Sequence, residues 1–238
     1  EMTAGTSELG VGYACDGYAR ESKSIGCLVV TWGVGALSAL NAVAGMFSEK
    51  VGAVVFVGLP NPDPTHPLVH HSVGQHFEQK RCFEAITARQ YSILTQDQLP
   101  TKIEEALLSA AATSKPVLVE ISCNLFKVPL VSNGHSWGHI SAPLLHATPM
   151  CEISANMSVS AIVKALEGSK RPVIIVGSGV TQVDVLNICQ VASAIGCPMT
   201  CMADAKGLLN EEHPLFVGTY WSSLSSPNVE AIVDESDM

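Results

Sequence analysis

Short strand-like segments alternate with segments of helical periodicity along most of the chain. Four segments of the first half predict strands, most of them continuous apolar runs, and they span residues 26–32, 51–58, 88–94 and 116–122. Three segments between or before them repeat apolar positions at helical spacing, and they span residues 7–20, 36–47 and 99–113. Strands that alternate with helices indicate a parallel sheet flanked by helices, so we predict an α/β fold.

The pattern fades into Ser, Gly, His and Pro between residues 127 and 156 and then restarts. Helices are predicted at 158–167, from the turn at 177–179 to 194 and at 227–235, and strands at 172–176 and 198–203. We therefore predict two Rossmann-like domains, residues 1–126 and 157–238, joined by a linker at 127–156. A helix opens the first domain and no predicted strand follows the last helix. We expect both domains to be incomplete and the chain to be a piece of a longer protein.

The segment from Ser24 to Ser48 contains no charged residue and on length alone matches a membrane-spanning helix. A β-rich run fills its first part, however, and the turn Gly33–Gly35 then interrupts it. A buried strand, a tight turn and a packed helix explain this pattern better, and we expect no membrane span.

The charge balance limits the partners of the protein. Its 22 acidic and 13 basic residues give a formal net charge of −9, and no run of Lys or Arg offsets it. Such a surface repels a phosphate backbone, so nucleic acid is not an expected partner. The first residues lack the basic and apolar regions of a secretory signal, so we expect a cytoplasmic protein.

The eight cysteines form no C-x-x-C pair, and several lie inside apolar runs. Cys189, Cys197 and Cys201 lie close enough in sequence to suggest a metal site, but their spacing does not match that of zinc sites. We interpret all eight as reduced structural thiols.

Two glycine turns, Gly33–Gly35 and Gly177–Gly179, each follow a predicted strand and precede a predicted helix. This arrangement can direct backbone amides toward an anion, but Ser38 and Gln182 replace the third glycine of G-x-G-x-x-G. The pattern alone therefore favours tight turning over a phosphate site.

Three polar side chains are candidates for chemistry, although each alone has a simpler explanation. Glu8 lies at the start of a predicted helix, where the helix dipole favours a solvated acid. His70 and His71 follow a proline-rich loop, and neighbouring side chains diverge on extended backbone, which disfavours a shared metal. His66 and His70 have helical spacing, but Pro67 between them disfavours a zinc-binding helix.

Four ordered segments together are more specific than any single residue. Residues 8–20 read E-L-G-V-G-Y-A-C-D-G-Y-A-R, residues 30–41 read V-T-W-G-V-G-A-L-S-A-L-N, and residues 68–74 read L-V-H-H-S-V-G. A fourth segment extends from Lys170 to Tyr220. In this order they resemble thiamine-diphosphate-dependent 2-oxo acid decarboxylases of the pyruvate and indolepyruvate decarboxylase family.

The resemblance implies roles for five residues. Glu8 would hydrogen-bond the aminopyrimidine ring of thiamine diphosphate, and Thr31 and Val34 would line the loop around that ring. His70 and His71 would contact the reacting groups and assist proton transfer, with His70 also beside the cofactor. Glu8, His70 and His71 are therefore the candidate catalytic residues.

The resemblance also implies the reaction and its partners. The full-length enzyme would convert a 2-oxo acid to an aldehyde and CO2 with thiamine diphosphate and Mg2+. The Mg2+ ligands are expected in a further domain, and the family builds its sites between subunits, which implies a homodimer or homotetramer. This chain alone would be inactive. The alternative is a non-catalytic nucleotide-binding or assembly module with the same fold.

Overall fold

The structure is a computed structural model that describes residues 2–61, 71, 73, 78–129, 151–180 and 182–238. The chain divides into two compact units, Glu1–Thr148 and Pro149–Met238. We refer to these as the N-terminal unit and the C-terminal unit. Most of the predicted linker at 127–156 lies outside the described residues, although residues 152–156 begin a helix.

The N-terminal unit contains a four-stranded parallel sheet in the order β1-β2-β4-β3. Its strands are β1 (Gly26–Val30), β2 (Ala53–Leu59), β3 (Gln90–Ile93) and β4 (Pro116–Ser122). Its helices are α1 (Glu8–Ser22), α2 (Val34–Ser38), α3 (Leu40–Ser48), α4 (Glu78–Phe83) and α5 (Leu99–Thr113). Strands joined through helices and paired in parallel confirm the predicted α/β class.

The central strands are buried on both faces because helices cover both sides of the sheet. Ala53, Val55 and Val57 of β2 pack with buried residues of α1, α2 and α3. Val54 of the same strand packs on the opposite face with Ala106 and Ala110 of α5. This two-sided burial explains why β2 reads as a continuous apolar run rather than an alternating one.

Local capping sets the start of α1. The Ser7 hydroxyl accepts a hydrogen bond from the Gly10 amide at 3.1 Å, which satisfies one free amide of the first turn. Lys23 ends the helix in the left-handed conformation. The predicted helix at 7–20 is therefore confirmed and extends to Ser22.

The prediction of a single helix at 36–47 is wrong, because two helices occupy this segment. The structure has α2, which begins at Val34, and α3, which begins after the fully buried Ala39. The amide of Ala39 donates to the carbonyls of Ala36 and Leu37. In a regular α-helix it would donate to the carbonyl four residues earlier. The break lets α2 follow the glycine turn directly while α3 packs along the core.

The C-terminal unit contains a three-stranded parallel sheet in the order β5-β6-β7. Its elements are α6 (Glu152–Gly168), β5 (Ile174–Val176), α7 (Gln182–Ile195), β6 (Met199–Met202), β7 (Phe216–Tyr220) and α8 (Val229–Asp234). The sequence pattern does not predict β7. Its register shifts beside Met199 and Thr200, and Gly218 has a φ of 127°, a conformation that side chains rarely adopt.

Other sequence expectations concern the membrane and metals. No helix in the part of the chain that the structure describes is long and apolar enough to cross a membrane. Among the same residues, no group of three His, Cys, Asp or Glu side chains is arranged to hold a metal ion. All eight cysteines are unpaired, and burial is the main reason that the pKa of the Cys15 thiol rises to about 12.

Candidate functional site

The candidate site lies at the carboxyl end of the sheet in the N-terminal unit. β1 ends at Val30, and Thr31 and Trp32 lead into the turn Gly33–Gly35, which we call the glycine turn. The carboxyl ends of β2 and β4 lie at the same edge because all the strands are parallel. Open α/β sheets bind ligands at this edge.

Glu8 reaches the glycine turn from the first turn of α1. Its side chain is half-buried, and its Oε1 lies 3.0 Å from the position that a Cβ on Gly35 would occupy. The same Cβ would collide with the methyl group of Thr31. The structure therefore brings together the carboxylate of Glu8, the Thr31 side chain and a residue that must lack a side chain.

The glycine turn also depends on its first residue. Gly33 has φ 63° and ψ −119°, a combination that favours glycine over other residues. The carbonyl of Gly33 accepts a hydrogen bond from the Leu37 amide at 3.0 Å, which links the turn to α2. Val34, between the two glycines, is 55% exposed and can contact a ligand.

His71 lies beside Trp32, the residue before the glycine turn. The two rings are 6.3 Å apart between centroids with an interplanar angle of 67°, an edge-to-face arrangement. Gly58 at the end of β2 lies so close to the Trp32 ring that a Cβ there would be 2.6 Å from it. The other member of the histidine pair, His70, lies outside the described residues.

A buried polar network fixes the back of the glycine turn. The side-chain oxygen of Gln79 accepts a hydrogen bond from the Gly33 amide at 2.7 Å. Its nitrogen donates to the Gly58 carbonyl at 2.9 Å and to Oε1 of Glu120 at 2.8 Å. The second Glu120 oxygen accepts from the Ser92 hydroxyl at 2.9 Å. The network thus joins residues in or just after β1, β2, β3 and β4.

Glu120 is fully buried, and desolvation raises the pKa of its carboxyl group above the usual range. The hydrogen bonds from Gln79 and Ser92, and the charge of Lys80, act in the opposite direction. Sequence reasoning missed both Gln79 and Glu120. A single charged residue inside the apolar strand segment 116–122 was the available signal, since acids are rarely buried without partners.

The glycine turn of the C-terminal unit has different surroundings. A Cβ on Gly177 or Gly179 would meet nothing within 4 Å. The Ser178 hydroxyl donates to the Asp204 carboxylate at 2.6 Å, and an acid at this point disfavours an anionic ligand. This turn therefore lacks the converging groups seen around Gly35.

The side chains around the glycine turn of the N-terminal unit present several polar groups to a ligand. Glu8 presents a half-buried hydrogen-bond acceptor, and Thr31 and Val34 flank the backbone beside it. His71 adds an imidazole ring beside Trp32, the residue before the turn. These side chains offer a carboxylate acceptor and an imidazole to a ligand that binds beside the turn.

Two regions of the chain match known protein families. Residues 1–84 match the family described as thiamine pyrophosphate enzyme, N-terminal TPP binding domain, and residues 159–238 match the thiamine pyrophosphate enzyme, central domain. Pyruvate decarboxylase 1 of Arabidopsis thaliana is 35% identical over 240 residues, and pyruvate decarboxylase 1 of Zea mays is 37% identical over 238 residues. Each alignment covers 97% of this chain and 38% of the relative, so the chain spans well under half the length of these proteins.

Proposed function

Because this chain belongs to the thiamine pyrophosphate enzyme family, we propose that the protein containing it decarboxylates a 2-oxo acid non-oxidatively to an aldehyde and CO2. The substrate is proposed to be of the pyruvate or indolepyruvate type, and the names of the relatives support pyruvate. The observation that carries the proposal is the approach of the Glu8 carboxylate to Gly35. A non-catalytic nucleotide-binding or assembly module is not favoured, because the similar proteins are enzymes.

The residues around Gly35 fit the pyrimidine ring of thiamine diphosphate. The ring requires a carboxylate at one of its nitrogens, and Glu8 offers one from a half-buried position. Gly35 lacks a side chain, which lets Glu8 and Thr31 approach the turn closely, and Val34 lies exposed within the turn. When bound, thiamine diphosphate supplies the electron sink that accepts the pair released with CO2.

The protein side chains position groups and move protons. Glu8 accepts a hydrogen bond at a pyrimidine nitrogen. Because Glu8 is half-buried, this hydrogen bond is stronger than it would be in water. Thr31 and Val34 exclude water from one face of the ring. His71, held edge-on against Trp32, is proposed to transfer a proton at the reacting carbon, and His70 is proposed to share this task.

Mg2+ and a partner subunit complete the proposal. A divalent cation neutralises a diphosphate group, and its ligands are oxygen atoms. We place these ligands outside the described residues, among which no group of three potential ligands occurs. A homodimer or homotetramer would supply the second half of the cofactor site, and a cytoplasmic location is the accompanying expectation.

The test is a product assay on the complete gene product. The protein is loaded with thiamine diphosphate and Mg2+ and offered pyruvate, indolepyruvate and a branched-chain 2-oxo acid. Release of CO2 with one equivalent of aldehyde supports the proposal. Failure to bind thiamine diphosphate, or consumption of substrate without CO2 release, contradicts it.

A further inference from the structure

The orientation of the Gln79 side-chain amide is determined by three partners at once. The Gly33 amide is a donor and requires the oxygen of Gln79, whereas the Gly58 carbonyl and the Glu120 carboxylate are acceptors and require its nitrogen. A reversed amide would place a donor against a donor and acceptors against acceptors. The network therefore admits one arrangement.

Glu120 strengthens this arrangement, which the Gly33 amide and the Gly58 carbonyl already favour. Both of its oxygens accept hydrogen bonds, one from Gln79 and one from Ser92. Gln79 is 5% exposed and Glu120 is fully buried, so water cannot replace a lost partner easily. An acceptor-only group at position 120 directs the nitrogen of Gln79 toward itself and the oxygen toward Gly33.

The Gly33 amide needs such a side-chain partner. It precedes α2, whose first residue is Val34, and Gly33 as N-cap offers no side chain of its own. The turn also has a positive φ at Gly33, so a fixed amide helps to maintain a conformation that is seldom favoured. Two residues later, Gly35 meets the Glu8 carboxylate.

We propose that Gln79 and Glu120 are positioning residues of this site, which hold the glycine turn against Glu8 and thereby set the geometry of the cofactor ring. Neither residue touches the space beside Gly35. They act through the Gly33 backbone, with Glu120 acting through Gln79. The inference deepens the proposed function and rests on it.

The decisive variant is Glu120→Gln in the complete gene product. A glutamine of nearly equal volume replaces the charged acceptor of the Gln79 nitrogen with a neutral amide that can present either an acceptor or a donor, which weakens the hold on Gln79 and thus on the Gly33 amide. We expect hydrogen exchange at the Gly33 amide to become faster on the order of tenfold, the effect of weakening one buried hydrogen bond. Thiamine diphosphate should bind more weakly by a similar factor, while kcat at saturating cofactor falls less.

Gln79→Met is the second variant and removes all three hydrogen bonds. It should show the same two effects, and more strongly, if it folds. Because it also leaves Glu120 buried with fewer partners, it can lose stability for reasons unrelated to the turn. The milder Glu120→Gln variant keeps the proposal testable in that case.

Thr87→Val is the matched control. Thr87 lies in the same unit, is 5% exposed, and its hydroxyl donates to the Phe83 carbonyl at 2.7 Å. The substitution removes this hydrogen bond and the one that the hydroxyl accepts from the Gln90 side chain at 2.7 Å, without touching Gly33. We expect lower thermal stability, unchanged exchange at Gly33 and unchanged cofactor affinity.

The outcomes separate the inference from the proposed function. Wild-type cofactor affinity in Glu120→Gln, or an equal loss in Thr87→Val, overturns the positioning role even if the protein is a decarboxylase. Failure of the unsubstituted protein to bind thiamine diphosphate overturns the proposed function and the positioning role together. In that event exchange at Gly33 still shows whether the pair holds the turn.

Discussion

Oε1 of Glu8 lies 3.0 Å from the point at which a Cβ on Gly35 would stand, so the acid on α1 and the turn after β1 are in direct contact. The two residues come from separate elements on the same side of the strand β1. Their approach places a half-buried hydrogen-bond acceptor beside a stretch of backbone without side chains. The proposed site for the pyrimidine ring rests on this contact more than on any other.

Replacement of Glu8 by Gln tests the acceptor. The change preserves size and removes the negative charge that is proposed to hold a hydrogen at the pyrimidine nitrogen. We expect kcat/KM for decarboxylation to fall at least about 100-fold, with thermal stability close to that of the wild type. Steady-state kinetics and a thermal melt measure the two quantities. Unaltered turnover would remove Glu8 from the mechanism.

Gly35→Ala tests the space beside that carboxylate. The added methyl group would press on Thr31 and Glu8, which we expect to cost about 1–3 kcal/mol of unfolding free energy and to weaken cofactor binding. Gly45→Ala in α3 is the control, because a Cβ there meets nothing within 4 Å and alanine favours a helix. The denaturant concentration at the unfolding midpoint should therefore fall for Gly35→Ala and rise for Gly45→Ala.

His71→Gln tests the proposed proton transfer. We expect kcat to fall about 100-fold, because glutamine cannot replace the imidazole in proton transfer. His213→Gln in the C-terminal unit is the matched control, since His213 accepts a hydrogen bond from the Leu215 amide at 3.1 Å. An equal kcat for both variants would contradict the proposed role of His71 in proton transfer.

The acid stability of the C-terminal unit should depend on Asp237. Its carboxylate accepts hydrogen bonds from the Ser169 hydroxyl and from the amides of Lys170 and Arg171, which lower its pKa to about 2. An acid with a lowered pKa stabilises the fold above its unfolded pKa of about 4, and that contribution is lost as pH falls toward 2.

Asp237→Asn should therefore reduce stability at pH 6 and flatten its dependence on pH between about 4 and 2. The control is Asp234→Asn, which removes a charge from α8. The Asp234 side chain is exposed and makes no hydrogen bond to the described residues. Thermal melts across this pH range measure the difference. A parallel decline in wild type and Asp237→Asn would contradict the assigned role.

Sequence reasoning succeeded where one local signal dominated. The helix at 99–113 and the strand at 116–122 are predicted with the bounds that the structure shows, because periodicity and burial agree there. β7 was missed, since a glycine and a register shift interrupt a strand of only five residues. The helix break at Ala39 was missed because alanine carries no signal of a helix end.

The site was predictable only in part, for a physical reason. Glu8, Thr31 and Val34 lie in segments whose order resembles a known family, so the sequence itself leads us to expect them close together. The role of Gln79 depends on a partner 46 residues earlier in the chain, and no local pattern reports such a contact. Buried polar networks are specified by tertiary packing, which periodicity does not encode.

The tie between Gly33 and Gln79 limits how this region can be engineered. A chimera that transplants residues 31–35 into a related scaffold would carry the loop but leave its anchor behind. The grafted segment would keep its sequence but lose its conformation unless the glutamine of α4 and the acid of β4 were transferred with it. Loop exchange in this fold is therefore a transfer of three segments rather than one.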